Sequence, residues 1–108
     1  MRWRIAVCED IPVEALLLES LIREWGRGNG REMLVERFSS AEAFQFRYAE
    51  QKDFDLLFLD IGMAGMSGLE LARHLRSEGD RIPLAFVTGL EEHVSEGYDI
   101  EALHYLIK

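Results

Sequence analysis

The chain has 108 residues, 48% of them apolar and 30% charged, and its twenty acidic side chains against twelve basic ones give a formal charge of −8. That length suits one domain with a substantial core, and the composition excludes a disordered or fibrous chain. The acidic balance repels phosphate backbones and anionic lipid, so nucleic-acid binding by this segment is not expected, and no apolar run approaches the length of a membrane span.

The first residues, MRWRIAVCED, put only four consecutive apolar side chains before two carboxylates, too short a run for a signal-peptide core. A single cysteine, Cys8, excludes an internal disulfide and sits in an apolar strand pattern, where a thiol behaves as a small hydrophobe. A reducing cytoplasm is the expected setting. Residues 3–9 read as a first strand. Pro12 then opens a stretch with apolar residues at Val13, Leu17, Leu18, Leu21, Ile22 and Trp25, a helical spacing that GRGNG (26–30) is expected to stop.

Residues 33–38 read as a second strand, and Ser39 with Glu42 three residues on has the spacing of a capping box for a helix over 41–51. DLLFLD (55–60) is too apolar for a half-exposed strand and needs cover on both faces. Ser67 and Glu70 repeat the capping-box spacing before a helix whose stripe is Leu71, Ala72 and Leu75, with Gly79 as its end. A fourth strand is expected at 82–88, a weak helix at 91–99 and a fifth strand at 102–108, with no repeat, low-complexity tract or linker. Strands alternating with helices imply right-handed crossovers, a parallel sheet covered on both faces, and a ligand crevice outside the carboxyl ends of the strands.

The carboxyl ends of the strands carry Glu9 and Asp10, then Asp60, Thr88 and Lys108. Three carboxylates gathered on one edge repel one another unless a cation compensates, and a hard divalent ion, most plausibly Mg²⁺, takes such ligands together with water and phosphate oxygens. The backbone carbonyl of Gly62 is placed to add a further oxygen. A carboxylate beside such an ion can attack phosphorus to give an aspartyl phosphate. Phosphoryl transfer then asks mainly for positioning and positive charge, which the Lys108 ammonium and a hydrogen bond from the Thr88 hydroxyl would provide.

On CED, LFLDIGMAGMSG, FVTG and YLIK, the chain resembles a response-regulator receiver (CheY-like) domain of two-component signalling, with the match running from Arg4 to Lys108. The resemblance implies a flavodoxin-like, three-layer, doubly wound α/β sandwich with a five-stranded parallel sheet in the order 2-1-3-4-5. It implies Asp60 as phosphoacceptor, and Glu9, Asp10, Asp60 and the Gly62 carbonyl as Mg²⁺ ligands. Thr88 and Lys108 would be the phosphate contacts, and Tyr105 the switch aromatic that enters the space Thr88 vacates. DLLFLDIGMAGMSGLELARHLR and EALHYLIK are further similar to receivers of the LytTR type, which carry a DNA-binding output domain. The implied partners are a histidine kinase and an output domain or second receiver, with DNA reached only through an output domain. The implied role is a signalling switch and not an enzyme, beyond weak self-phosphorylation from small donors and slow self-dephosphorylation.

Three departures from that family stand out. Glu9 replaces the more usual aspartate, and Ala64 stands where proline is common. The chain stops at Lys108, before the family's fifth helix, so residues 1–108 are expected to be a single receiver truncated before that helix and any output domain. Apolar surface should then lie uncovered beside the first helix.

Each site residue also has an ordinary alternative: Asp10 as a helix cap, Asp60 as a turn residue, Thr88 bonding its own loop, Lys108 solvated. Four such accidents on one sheet edge are a poor explanation. His74, His93 and His104 lack metal-ligand spacing and read as surface or partly packed imidazoles. A haloacid-dehalogenase-type phosphohydrolase would need a second aspartate where Gly62 stands. A flavin-binding domain would need a phosphate cradle that these loops lack. An interaction module of the receiver fold that is never phosphorylated is the remaining alternative.

Overall fold

The structure, a computed structural model, describes residues 2–63, 65–88 and 104–107. The elements are β1 (Arg2–Cys8), α1 (Pro12–Gly28), β2 (Glu32–Phe38), α2 (Ala41–Glu50), β3 (Leu56–Asp60), α3 (Gly68–Ser77), β4 (Leu84–Thr88) and β5 (His104–Ile107). β1 lies between β2 and β3, β4 follows β3, and the backbone of β5 pairs with β4, all parallel, in the order β2-β1-β3-β4-β5. The strand order reverses at β1, with β2 on one side of it and β3 on the other, so the crevice expected of such a sheet opens above the ends of β1 and β3. The short helix expected at 91–99, and with it His93, lies outside the described residues, as does Lys108.

Alternation along the strands sends side chains into two separate cores. Ala6, Cys8, Leu57, Leu59, Leu84 and Phe86 join the helices α2 and α3 through Phe44, Tyr48, Leu71, Ala72 and Leu75. On the other face, Ile5, Val7 and Met33 meet Ile22 of α1. The aromatic centre of the larger core is Phe44, which is fully buried, stacks on Tyr48 at 4.9 Å and meets Phe38 edge-on at 5.5 Å. The Tyr48 phenol donates to the Asp80 carboxylate at 2.8 Å, and burial followed by that carboxylate pushes its pKa upward.

Three details differ from the sequence reading. The first helix ends at Gly28, inside GRGNG as expected, but it passes through Gly26. A Cβ at Gly26 would lie 2.5 Å from Met33 Cγ and 2.9 Å from the Arg31 carbonyl oxygen, so this glycine permits close approach to β2 and does not break the helix. The second helix is capped by Ser40, whose hydroxyl accepts from the Ala43 N–H at 3.0 Å, and not by Ser39 with Glu42. By contrast, the Ser67/Glu70 capping box forms as expected, with both reciprocal bonds present.

The third difference concerns β3. Leu57 and Leu59 are fully buried on the α2/α3 side, but Leu56 and Phe58, on the side of α1, are only half-buried. They form part of an apolar groove of about 310 Å³ that also takes in Trp3, Leu18, Leu21 and Trp25. Val13, Leu17, Leu21 and Trp25 continue this apolar surface along α1, each more than half exposed. The apolar surface expected beside the first helix is therefore there among the described residues.

Cys8 is buried in β1, and burial alone pushes its thiol pKa upward. The nucleophile in alkylation is the thiolate, so Cys8 should resist iodoacetamide in the native protein at pH 8 and react fully in denaturant, as read by intact mass. Rapid native labelling would show that β1 opens far more readily than its packing implies.

Candidate functional site

β1 ends at Cys8, and the next backbone N–H, from Glu9, donates to the Phe38 carbonyl at 3.0 Å, which carries the sheet geometry one residue further. β3 ends at Asp60, paired in register with Val87 of β4. Central strands held on both sides therefore deliver Glu9 and Asp60 to neighbouring positions on the carboxyl edge of the sheet. Both are buried, at 4% and 6% exposure, while Asp10 is half-buried. One carboxylate oxygen from each of Glu9, Asp10 and Asp60 lies within 4.8 Å of the other two.

α1 does not use Asp10 as its cap. The N-cap position is Ile11, which makes no side-chain capping bond, and Pro12 occupies the first turn, where its missing N–H costs nothing. The start of α1 thus points its partial positive charge toward the acidic edge, which offsets a fraction of the carboxylate repulsion. The Ile11 N–H reaches the Glu9 carboxylate at 3.4 Å. Across the site, the Gly62 N–H donates to Asp60 Oδ1 at 3.2 Å, so the Asp60 side chain and the loop after β3 are held against each other.

Close packing sets the approach of α3 as well. Gly68, its first residue, sits so tightly on β3 that a Cβ there would come 2.3 Å from the Asp60 carbonyl oxygen. The Gly68 N–H donates to the Ile61 carbonyl at 3.3 Å. No spacing in the sequence marked Gly68 as a site residue. Nor was Glu42 so marked: its carboxylate, read as half of a capping box, instead accepts from the Met66 N–H at 3.2 Å, across from α2 to the loop that follows β3.

The other expected site residues are placed by their backbone. Thr88 closes β4 one position beyond Val87, the partner of Asp60, and pairs with Ile107, while Tyr105 pairs with Phe86. Of the imidazoles, that of His74 is on α3, half-exposed and 3.4 Å from Glu78, a surface pair and no ligand cluster. Among the described residues, Glu9, Asp10 and Asp60 form the one acidic, cysteine or histidine group compact enough to hold a metal ion. Their all-oxygen donor set and dense negative charge fit a hard divalent cation such as Mg²⁺ and not zinc or copper.

The family model of the response regulator receiver domain matches residues 5–108. The chain belongs to this family. It is 35% identical over 107 residues to the two-component response regulator PhoP of Pseudomonas aeruginosa, covering 97% of this chain and 44% of that protein. It is 29% identical over 105 residues to the sensory transduction protein LytT of Bacillus subtilis, covering 97% of this chain and 42% of that protein. The receiver domain thus spans less than half the length of these curated relatives. Among solved structures, the response regulator TrrA of Thermotoga maritima, in complex with Mg²⁺-BeF, superposes with a TM-score of 0.82 at 26% identity, covering 98% of this chain and 86% of that one. No helix among the described residues of this receiver is long and apolar enough to cross a membrane.

Proposed function

We propose that this receiver is a phosphorylation-dependent signalling switch in which Asp60 accepts a phosphoryl group from a histidine kinase. The observation that carries the reading is the meeting of Glu9, Asp10 and Asp60 at the carboxyl edge of the sheet, with their oxygens within 4.8 Å. Glu9, Asp10, Asp60 and the Gly62 carbonyl would hold Mg²⁺, which when bound neutralises charge on the transferring phosphoryl oxygens. The Mg²⁺-BeF complex of TrrA, at 26% identity, supports that choice of ion.

In the transfer, a carboxylate oxygen of Asp60 attacks phosphorus and a new O–P bond forms. The N–P bond to the donor imidazole breaks, and the nitrogen keeps the electron pair and later takes up a proton. The strand ends hold Asp60 in a fixed position for the attack. Thr88 and Lys108 would contact the new oxygens, and the added charge, about −1.5 to −2 at neutral pH, would draw Thr88 inward and admit Tyr105 behind it. The surface around these residues would then engage an output domain or a second receiver differently in the two states. The setting proposed is the cytoplasm, and the output a transcriptional one of the LytTR kind, for which the likeness to LytT is the support. The domain itself would act as a phosphoacceptor and not as an enzyme, apart from slow self-phosphorylation and dephosphorylation.

The test is incubation with Mg²⁺ and acetyl phosphate, read by intact mass. The expected result is one added phosphoryl group that requires Mg²⁺ and is lost in Asp60→Asn. Beryllofluoride should shift the amide resonances of Gly62 and Thr88. Absence of both signals would leave the chain a receiver-fold interaction module, and uptake that survives Asp60→Asn would move the acceptor elsewhere.

A further inference from the structure

The loop from β3 to α3 carries Gly62, and it is fastened at both ends by the fold. At its start the Gly62 N–H bonds Asp60 Oδ1 at 3.2 Å, and at its end Gly68 packs on the Asp60 carbonyl. Between these points the Ser67 N–H is held by Glu70 of α3, and the Met66 N–H is held from across the fold by Glu42 in the first turn of α2. Glu42 Oε2 accepts the Met66 N–H at 3.2 Å. The same oxygen lies 3.0 Å from where a Cβ on Gly65 would stand, at a residue with φ of +73°. The loop therefore turns in the left-handed region beneath the carboxylate, where a glycine leaves room for it.

Ser40 already caps α2, so the helix does not need Glu42 for its own backbone. The Ser67/Glu70 capping box likewise satisfies the start of α3 without it. What remains for Glu42 is the loop between them.

We infer that Glu42 is a positioning residue for the acceptor site: its carboxylate fixes the β3–α3 loop so that Gly62 stays in register with Asp60. The inference rests on the phosphoacceptor reading above. The bond is geometrically specific: an oxygen acceptor at that reach is what holds the Met66 N–H. Loosening a supporting contact by a fraction of an ångström is enough to weaken a coordination site.

The experiment compares Glu42→Ala, Glu42→Asp and Glu42→Gln with the wild type. Mg²⁺ affinity is measured by amide NMR titration, and hydrogen exchange at the Met66 amide is measured without metal. Ala removes the acceptor and Asp withdraws it by one methylene, whereas Gln keeps an oxygen at the same reach without the charge. Ala and Asp are expected to weaken Mg²⁺ binding about fivefold and to accelerate Met66 exchange, the loss of one net hydrogen bond. Gln should stay within about twofold of wild type on both readouts, on the same scale for a conserved bond.

Wild-type Mg²⁺ affinity in Ala and Asp, whatever their stability, would overturn the inference and leave the acceptor reading intact. Gln as weak as Ala, with Asp like wild type, would also overturn it, because charge and not reach would then be the variable. Should Ala fail to fold, Asp against Gln decides alone. A wild type that binds no Mg²⁺ would remove the acceptor reading and this inference together.

Discussion

Gly68→Ala is expected to abolish most phosphoryl uptake at Asp60 while leaving every carboxylate in the chain. The added methyl would lie 2.3 Å from the Asp60 carbonyl oxygen and 3.0 Å from its carbon. Both are backbone atoms at the end of a central strand, so neither can turn aside as a flexible side chain would. Either α3 lifts from β3 or the tip of β3 moves. Overpacking of this kind costs about 3 kcal/mol, the upper part of the usual range. An ångström of displacement at a reacting group is worth about 100-fold in rate. Urea unfolding and the rate of acetyl-phosphate uptake measure the two effects, and wild-type values for both would show that the strand tip is not the reference that positions Asp60. Gly28→Ala is the control: a Cβ there meets nothing within 4 Å at the end of α1, so stability should hold or rise slightly.

Phe44→Ala should come close to unfolding the chain. Phe44 is fully buried, stacks on Tyr48, meets Phe38 edge-on and lies 5.9 Å from the Phe54 ring. Removing such a ring leaves a cavity in the larger core and costs about 3–5 kcal/mol. A domain of this size has on the order of 5–15 kcal/mol in total, so the variant would retain a small margin or none. Phe46, two residues along the same helix and 77% exposed, should tolerate alanine within about 0.5 kcal/mol. Equilibrium urea denaturation of the pair checks both, and similar losses would mean that Phe46 is covered in solution.

The contrast between these two phenylalanines was legible in the chain only in part, and the reason is general to this fold. Properties carried by a single element were readable. The central apolar run of β3, the Ser67/Glu70 box and the three carboxylates at strand ends follow from periodicity, from local spacing and from where parallel strands must finish. Properties set by the distance between elements were not. Gly26 inside α1 looks the same in sequence as a glycine that stops a helix, and only the approach of Met33 distinguishes them. Two adjacent serines, Ser39 and Ser40, are one residue apart in spacing, yet the capping bond goes to Ser40. Glu42 was assigned to its own helix because nothing along the chain reveals that Met66 lies opposite. For the site, residue types at the strand ends named Glu9, Asp10 and Asp60, and the fold added how closely they meet.

The edge opposite the acidic cluster has the reverse chemistry. Arg4 and Arg47 both pair with Asp53, at 2.9 and 3.2 Å, and both guanidinium groups lie over the Phe54 ring. The amino ends of β1 and β3 are thus clamped by matched charge on an aromatic plate, while their carboxyl ends concentrate unlike elements of one sign.

The sheet also acts as a partition between two cores of unequal depth. The α2/α3 side is closed around fully buried Phe44, Leu57, Leu59, Leu71 and Phe86, whereas the α1 side stops at half-covered Leu18, Leu56 and Phe58. Local opening free energies follow buried apolar contact, so hydrogen exchange is expected to be faster along α1 than along α2 and α3. α1 packs on the shallower core, and Asp60 stands between Leu59 and Ile61 of the deeper one. Glu9 and Asp10 lie on the segment that joins β1, which feeds both cores, to α1, which covers only the shallower one.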